Sequence, residues 1–344
     1  MQKTPVKLYL APMEGVTDWI MRDTLTQIGG IDFCVTEFLR VTKVLHPNKV
    51  FLRHCPELLT GSRTRVGTPV YFQLLGGEPQ AMAENAKRAA ELGAAGIDLN
   101  FGCPAKTVNR HDGGAVLLKS PHRLYDVTKA VRESVPAATP VSGKIRLGFE
   151  DTSLCMENAR ALQEAGVSWI TVHCRTKSQG YRPPAHWQWI PKISEAVSVP
   201  VIANGDIVSI ESFQTCLKET GANQFMIGRA SLMNPRIFRS IKALFEGGED
   251  QSALRWGLVV SLIVPFFETC QIQVNEYFAV SRTKQWLKHL ALNFSEAREI
   301  FNHVKIYHKP LEFRVALENA IVYIRGANEA KHDGSAHLQG KKNL

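Results

Sequence analysis

The chain has 344 residues, 44% hydrophobic and 21% charged, with a formal net charge of +9. That length holds one large domain and a smaller one, and the composition is that of a globular protein rather than a disordered one. The seven cysteines (34, 55, 103, 155, 174, 216 and 270) include no C-x-x-C pair, which argues against a zinc ribbon, a cysteine-ligated iron–sulfur cluster or a dithiol redox motif.

Met1 to Leu10 has no long apolar core and no small-residue cleavage site, so no signal peptide is expected. Short apolar, β-branched runs then recur at Val6–Met13, Phe33–Phe38, Pro69–Leu75, Gly96–Asn100, Val141–Leu147, Trp169–Cys174, Val199–Asn204 and Gln224–Gly228. The gaps read as amphipathic helices: Met82, Ala86, Ala89, Ala90 and Leu92 share one face, and Leu124, Val127, Val131 and Val135 share another. Eight strand-then-helix units are the arithmetic of a (β/α)8 TIM barrel over residues 1–245. A doubly wound dinucleotide fold is the weaker reading, because no G-x-G occurs anywhere in the chain.

Glu246–Asp250 reads as a polar linker, after which strand signals cease. Helical segments near 252–272, 276–291, 295–307 and 311–325 predict a small helical bundle over 250–325, with Leu254, Leu258, Leu262 and Phe266 as the first apolar stripe. The longest apolar run, Gly257 to Phe267, is shorter than the ~20 residues of a membrane helix and contains Pro265. Gly326 to Leu344 has little to bury and reads as a disordered tail. The expectation is a reduced, cytoplasmic protein.

Positive charge points to an anionic partner only where it is concentrated. Between Arg40 and Arg65 stand Arg40, Lys43, Lys49, Arg53, Arg63 and Arg65 against the single acid Glu57. A second group is Arg282, Lys284, Lys288 and His289, with Trp286 among them. Such groups are usually solvated helix faces; a nucleic-acid backbone is the functional alternative.

A barrel builds its active site at the carboxyl ends of its strands. Those ends carry Pro12-Met13-Glu14-Gly15, Glu37, Gln73, Asn100 with Cys103, Lys144 with Arg146, His173, Asn204-Gly205-Asp206 and Gly228-Arg229. Ordinary turn residues would explain one such end, not all of them. Small residues and bare backbone N–H groups after the seventh and eighth strands are where barrels hold phosphate. With no dinucleotide turn available, flavin mononucleotide (FMN) suits the polar ring: Gln73 can pair with the flavin's amide edge, and Lys144 can sit beside the end that becomes anionic on reduction. Cys103 lies in a Gly-Cys-Pro turn past the fourth strand. A free thiol is mostly protonated at neutral pH, so it can act as the acid when hydride is added to an electron-poor double bond. A structural cysteine is the plain alternative.

These motifs resemble, in order and spacing, those of the tRNA-dihydrouridine synthases. They are Pro12-Met13-Glu14-Gly15, Gly102-Cys103-Pro104, Lys144-x-Arg146-x-Gly148, His173-x-Arg175-Thr176, Ala203-Asn204-Gly205-Asp206 and Ile227-Gly228-Arg229. The similarity runs from about Leu8 to Arg325; Asn100 to Asn109 and Lys284-Gln285-Trp286-Leu287 look like the bacterial C subfamily. The resemblance implies an FMN enzyme, recharged by NADPH, that reduces a D-loop uridine of tRNA, at position 16 in that subfamily. Hydride goes to C6 and the loop cysteine, here Cys103, protonates C5. It implies that Pro12, Met13, Glu14, Gln73, Lys144, His173, Asn204, Gly205, Asp206, Gly228 and Arg229 line the flavin. Asn100 and Arg146 would hold the flipped base. Arg40, Arg282, Lys284 and Trp286 would contact the tRNA, and no obligatory protein partner is expected of a monomer. Two departures stand out: Cys174, where the family has glycine, and the bulky Arg110–Gly114 loop. Other readings are an FMN-dependent reductase of a free pyrimidine or small enone, which gives the helical segment no role, and a catalytically silent RNA-binding relative.

Overall fold

The computed structural model describes residues 5–246 and 256–339, with side chains as far as Ile324. Residues 247–250 of the expected linker, and Leu254, lie outside the described residues, as does 340–344 of the expected tail. Two compact units emerge: Met1–Ser231 with Arg236–Asp250, and Leu232–Pro235 with Gln251–Leu344.

The first unit is a closed barrel of eight parallel strands in sequential order. They are β1 (Lys7–Leu10), β2 (Phe33–Arg40), β3 (Val70–Leu75), β4 (Ile97–Asn100), β5 (Val141–Arg146), β6 (Trp169–His173), β7 (Val201–Asn204) and β8 (Gln224–Ile227). Closure comes from β1 against β8, with Lys7 opposite Gln224 and Leu10 opposite Ile227. The helices are α1 (Trp19–Thr26), α2 (Asn48–His54), α3 (Pro79–Glu91), α4 (Lys106–Arg110), α5 (Pro121–Ser134), α6 (Cys155–Glu164), α7 (Trp189–Ala196), α8 (Ile210–Thr220), α9 (Arg229–Met233) and α10 (Ile237–Glu246). Local chemistry sets their ends. Asp18 caps α1 by accepting from Met21 N at 2.9 Å, and α8 opens on a Ser209/Ser212 capping box and stops at Gly221 in the left-handed region. The apolar face expected of α5 is buried as read, from Leu124 to Val135.

Strand alternation sorts the barrel interior into tiers. Low in the barrel, Tyr9 stacks on Phe33 at 3.8 Å, and Tyr71 and Trp169 pack against the same cluster. This aromatic floor makes the interior a packed core rather than a pore. Above it, the inward positions turn polar: Gln73, Asp98, Asn100, Ser142, Lys144, Thr171, His173 and Asn204. A register shift in β2 between Val35 and Phe38 sends Glu37 to the mouth, where its Oε1 accepts from Val16 N at 2.9 Å.

The second unit holds α11 (Trp256–Gln273), α12 (Glu276–Leu290), α13 (Ser295–Val304) and α14 (Pro310–Gln339). The buried face of α11 is Val259, Val260, Ile263, Phe266, Phe267 and Cys270, while Leu258 is 53% exposed. Of the expected stripe, Phe266 is buried, Leu262 half-buried and Leu258 turned outward, because the aromatic pair Phe266 and Phe267 sets the face that meets Trp286 and Phe313. Pro265 sits inside this helix and does not end it. By length and composition alone α11 could cross a membrane, and 39% of that apolar window is buried within the protein. The last helix continues to Gln339 and does not stop at Arg325, so part of the expected tail is helical; Ala, Glu, Lys and His permit this, and no proline intervenes.

Candidate active site

Cys103 follows β4 in a loop held from several sides. Asn100 Oδ1 accepts from Gly102 N at 3.0 Å and from Cys103 N at 2.9 Å. Cys103 O accepts from Asn109 Nδ2 at 2.9 Å and from Ala115 N at 3.1 Å. Arg146 Nε donates to Gly102 O at 2.8 Å. The thiol is half-buried, whereas the other six cysteines are fully buried. Desolvation pushes its pKa upward, and the Ala105 N–H opposes that shift. It stays protonated at neutral pH.

The departure at Arg110–Gly114 is built into this loop. Asp112, in the left-handed region at φ 63°, pairs with both terminal nitrogens of Arg123, which also donates to Gly77 O at 3.2 Å. Gly77 must lack a side chain, since a Cβ there would lie 1.9 Å from Asp112 O. Bulk in the loop thus clamps it to the turn after β3. Cys174, the other departure, points out of the barrel: it is fully buried and its Sγ faces Val172 O at 3.6 Å.

Around the ring, Lys144 Nζ donates to Asn204 Oδ1 at 3.2 Å, and Asn204 Nδ2 donates to Met226 O at 2.8 Å. Burial, with Arg146 nearby, pulls the Lys144 pKa down to about 8. His173 falls well below its usual value, chiefly through burial and then through Arg146, Lys144, Arg175 and Arg229, so its imidazole is neutral. Glu14 is raised to about 7 by desolvation and by the Glu37 carboxylate. Deeper in, Gln73 and Asp98 are fully buried, and Gln73 Nε2 donates to Asp98 Oδ2 at 2.7 Å.

Gly205 has φ 116°, and a Cβ there would lie 3.0 Å from His173 Cδ2; one on Gly228 would lie 3.3 Å from Met13 Sδ. The backbone is thus bare beside His173 at Gly205 and beside Met13 at Gly228. Asp206 pairs with Arg175 and, at 3.4 Å, with Arg229, so its carboxylate holds two guanidiniums. Bare backbone, the exposed Arg229 guanidinium, an ammonium and a neutral imidazole fit an anionic phosphate carrying a planar heterocycle, as FMN does.

Sequence reasoning missed three groups here. Arg175 is fully buried beneath Asp206; only its place in the His173-x-Arg175 motif signalled it. Tyr181 lies under both Arg146 (5.1 Å) and Arg229 (5.6 Å) and had no signal. Asp98 is an acid at an inward strand position, and that was its signal. Asn100 and Arg146 are engaged with the loop, Arg146 also donating to Thr176 O and Gly180 O, so what the structure displays for them is loop support.

The expected basic contacts separate. Arg40 ends β2 at the mouth, half-buried, while Arg63 and Arg65 precede β3 at the opposite end of the barrel. Arg65 is held by Asp23. In the helical unit, Trp286 is 1% exposed and meets Phe266 at 4.9 Å edge-on. Arg282 is buried and bonds Gln285. Lys284 Nζ donates to Lys305 O at 2.9 Å and Tyr307 O at 2.6 Å. Arg282 and Trp286 are thus turned into the bundle and Lys284 is half-buried, because α12 packs against α11, α13 and α14 and an aromatic at that register becomes core.

The family model "Dihydrouridine synthase (Dus)" matches residues 9–322. A "tRNA-dihydrouridine(16) synthase" of Aquipseudomonas alcaligenes is 46% identical over 87% of this chain and 95% of its own length. One of Shewanella oneidensis is 45% identical over 92% and 98%. Among solved structures, "DHODH in complex with ferulenol from Eimeria tenella" overlays with a TM-score of 0.52 at 13% identity, over 72% of this chain and 82% of that one, a likeness of fold alone. A closed eight-stranded barrel with polar strand ends, matched by the family model from Tyr9 to Val322 and by relatives across most of their length, makes this chain a member of the dihydrouridine synthase family.

Proposed function

We propose that the chain reduces uridine 16 of tRNA to 5,6-dihydrouridine, using FMN and NADPH, as a cytoplasmic monomer. The observation that carries this reading is an undissociated thiol, Cys103, fixed in a loop beside the ring of Lys144, His173 and Asn204. Family membership supports the reaction class, and the similarity to tRNA-dihydrouridine(16) synthases supports the tRNA position.

The chemistry a flavin supplies there is hydride delivery to C6 of uracil, with NADPH restoring it at the cost of becoming NADP+. As hydride arrives at C6, negative charge grows on C5, and Cys103 Sγ gives up its proton to that carbon. The thiolate left behind regains a proton from solvent, so one hydride and one proton are added across the C5–C6 double bond. Pro12, Met13, Glu14, Gln73, Gly205, Asp206, Gly228 and Arg229, with His173, Asn204 and Lys144, would hold the cofactor; Lys144 brings positive charge and His173 brings none. Asn100 and Arg146 would position the base through the loop they support.

A stacked uracil must be extruded to reach the mouth, costing a few kcal/mol that phosphate contacts offset. Arg40 and the exposed Lys43 suit that role on the barrel, and the exposed Lys288 suits it on α12. Arg282, Lys284 and Trp286 would then act by shaping that helix. Cys103→Ala should leave a yellow protein whose flavin NADPH still bleaches, yet form no dihydrouridine in tRNA by mass spectrometry. Wild-type dihydrouridine formation by that variant would remove the thiol from the reaction.

A further inference from the structure

Asp98 lies one tier below the mouth and takes no part in the chemistry described so far. Its two oxygens are both occupied. Oδ1 accepts from Ser142 Oγ at 2.5 Å, and Oδ2 accepts from Gln73 Nε2 at 2.7 Å. Gln73 Oε1 in turn accepts from Asn100 Nδ2 at 2.9 Å. Asn100 Oδ1 accepts from the N–H groups of Gly102 and Cys103.

Every hydrogen bond in this chain points the same way. Backbone N–H groups at the top can only donate, and an ionised carboxylate at the bottom can only accept. Between them, Asn100 and Gln73 could each be turned over in isolation, since an amide offers a donor on one side and an acceptor on the other. With both ends fixed, one orientation of the pair satisfies every group. A terminal acceptor is therefore what keeps Asn100 presenting its carbonyl oxygen to the Cys103 loop.

We infer that Asp98 is a positioning residue for Cys103, setting the orientation of Gln73 and Asn100 so that the loop carrying the thiol is tethered to the barrel interior. The inference rests on the proposed role of Cys103 only for its functional consequence; the tether itself concerns the loop. Asp98 touches neither the reacting atoms nor the thiol and acts through two intervening side chains. What it must supply is an acceptor, not a charge. An amide at position 98 can turn its carbonyl toward Gln73 and its NH2 toward Ser142 Oγ, which accepts as well as donates. A leucine of similar shape supplies no acceptor, leaves the Gln73 NH2 unpaired in a buried site, and frees the amide pair to turn.

The test reads the thiol directly. Cys103 is the one cysteine that is not fully buried, so its alkylation by iodoacetamide can be followed by peptide mass spectrometry on the purified protein as isolated. Asp98→Leu should raise the Cys103 alkylation rate roughly three- to tenfold, the worth of one ordinary hydrogen bond, while Asp98→Asn keeps the wild-type rate. In parallel, Asp98→Leu should lower dihydrouridine formation while the flavin is still reduced by NADPH. A wild-type alkylation rate in folded Asp98→Leu overturns the inference. So does an equal rise in Asp98→Asn, which would make charge rather than acceptance the operative property. If Asp98→Leu does not fold, Gln73→Leu cuts the same chain one link higher, and the same rise is required of it. Because alkylation needs neither tRNA nor flavin, the tether is decided even if no tRNA uridine is reduced.

Discussion

Burial draws the protonation equilibria of Lys144 and Asp98 toward each other: the ammonium falls to about 8 and the carboxyl rises to about 6. For Asp98 desolvation outweighs the bonds from Ser142 and Gln73 and the attraction of Lys144. A carboxyl raised on folding contributes stability below its unfolded pKa and loses that contribution as pH rises through the folded one. The shift from 3.8 to about 6 corresponds to about 3 kcal/mol. Urea unfolding should therefore show the wild type losing about 2 kcal/mol relative to Asp98→Asn between pH 4 and pH 7; parallel profiles would contradict the shift. At this scale, motif positions such as Cys103, Lys144 and His173 were legible, because strand ends in a barrel are where function collects. What Asp206 and Asn100 bond was not, since partners such as Arg175 and the Cys103 N–H are fixed by loops whose paths no periodicity encodes.

Among the elements, all eight strands could be read, because parallel strands covered on both faces are continuous apolar runs bounded by turn residues. The helical unit was legible in number and not in facing. Trp286, Arg282 and Lys284 look like a basic-aromatic surface, but only contacts between helices reveal that the indole packs on Phe266. Lys284 places its ammonium on the carbonyls of Lys305 and Tyr307, just past the C-terminus of α13, where a cation also meets the negative end of the helix dipole. Lys284→Ala should cost about 1 kcal/mol and speed amide exchange at the end of α13. An unchanged melting curve with unchanged exchange would show that the lysine does not hold that helix end. Loss of RNA affinity in a Lys284 variant therefore needs to be read against its stability.

For the molecule as a whole, the +9 charge left solvated faces and a nucleic-acid partner both open, and the fold divides it. Arg40 ends β2 and Lys43 follows it, whereas Arg63 and Arg65 stand at the far end of the barrel, which a count along the sequence cannot distinguish. The central claim is that a thiol acid and a flavin meet one extruded uracil of tRNA. The most direct measurement is nucleotide-resolved mass spectrometry of an unmodified tRNA transcript after incubation with the purified protein, FMN and NADPH. The account predicts that uridine 16 gains two hydrogens and that neighbouring uridines do not. A transcript with no reduced uridine, from protein that is yellow and oxidises NADPH, would contradict it.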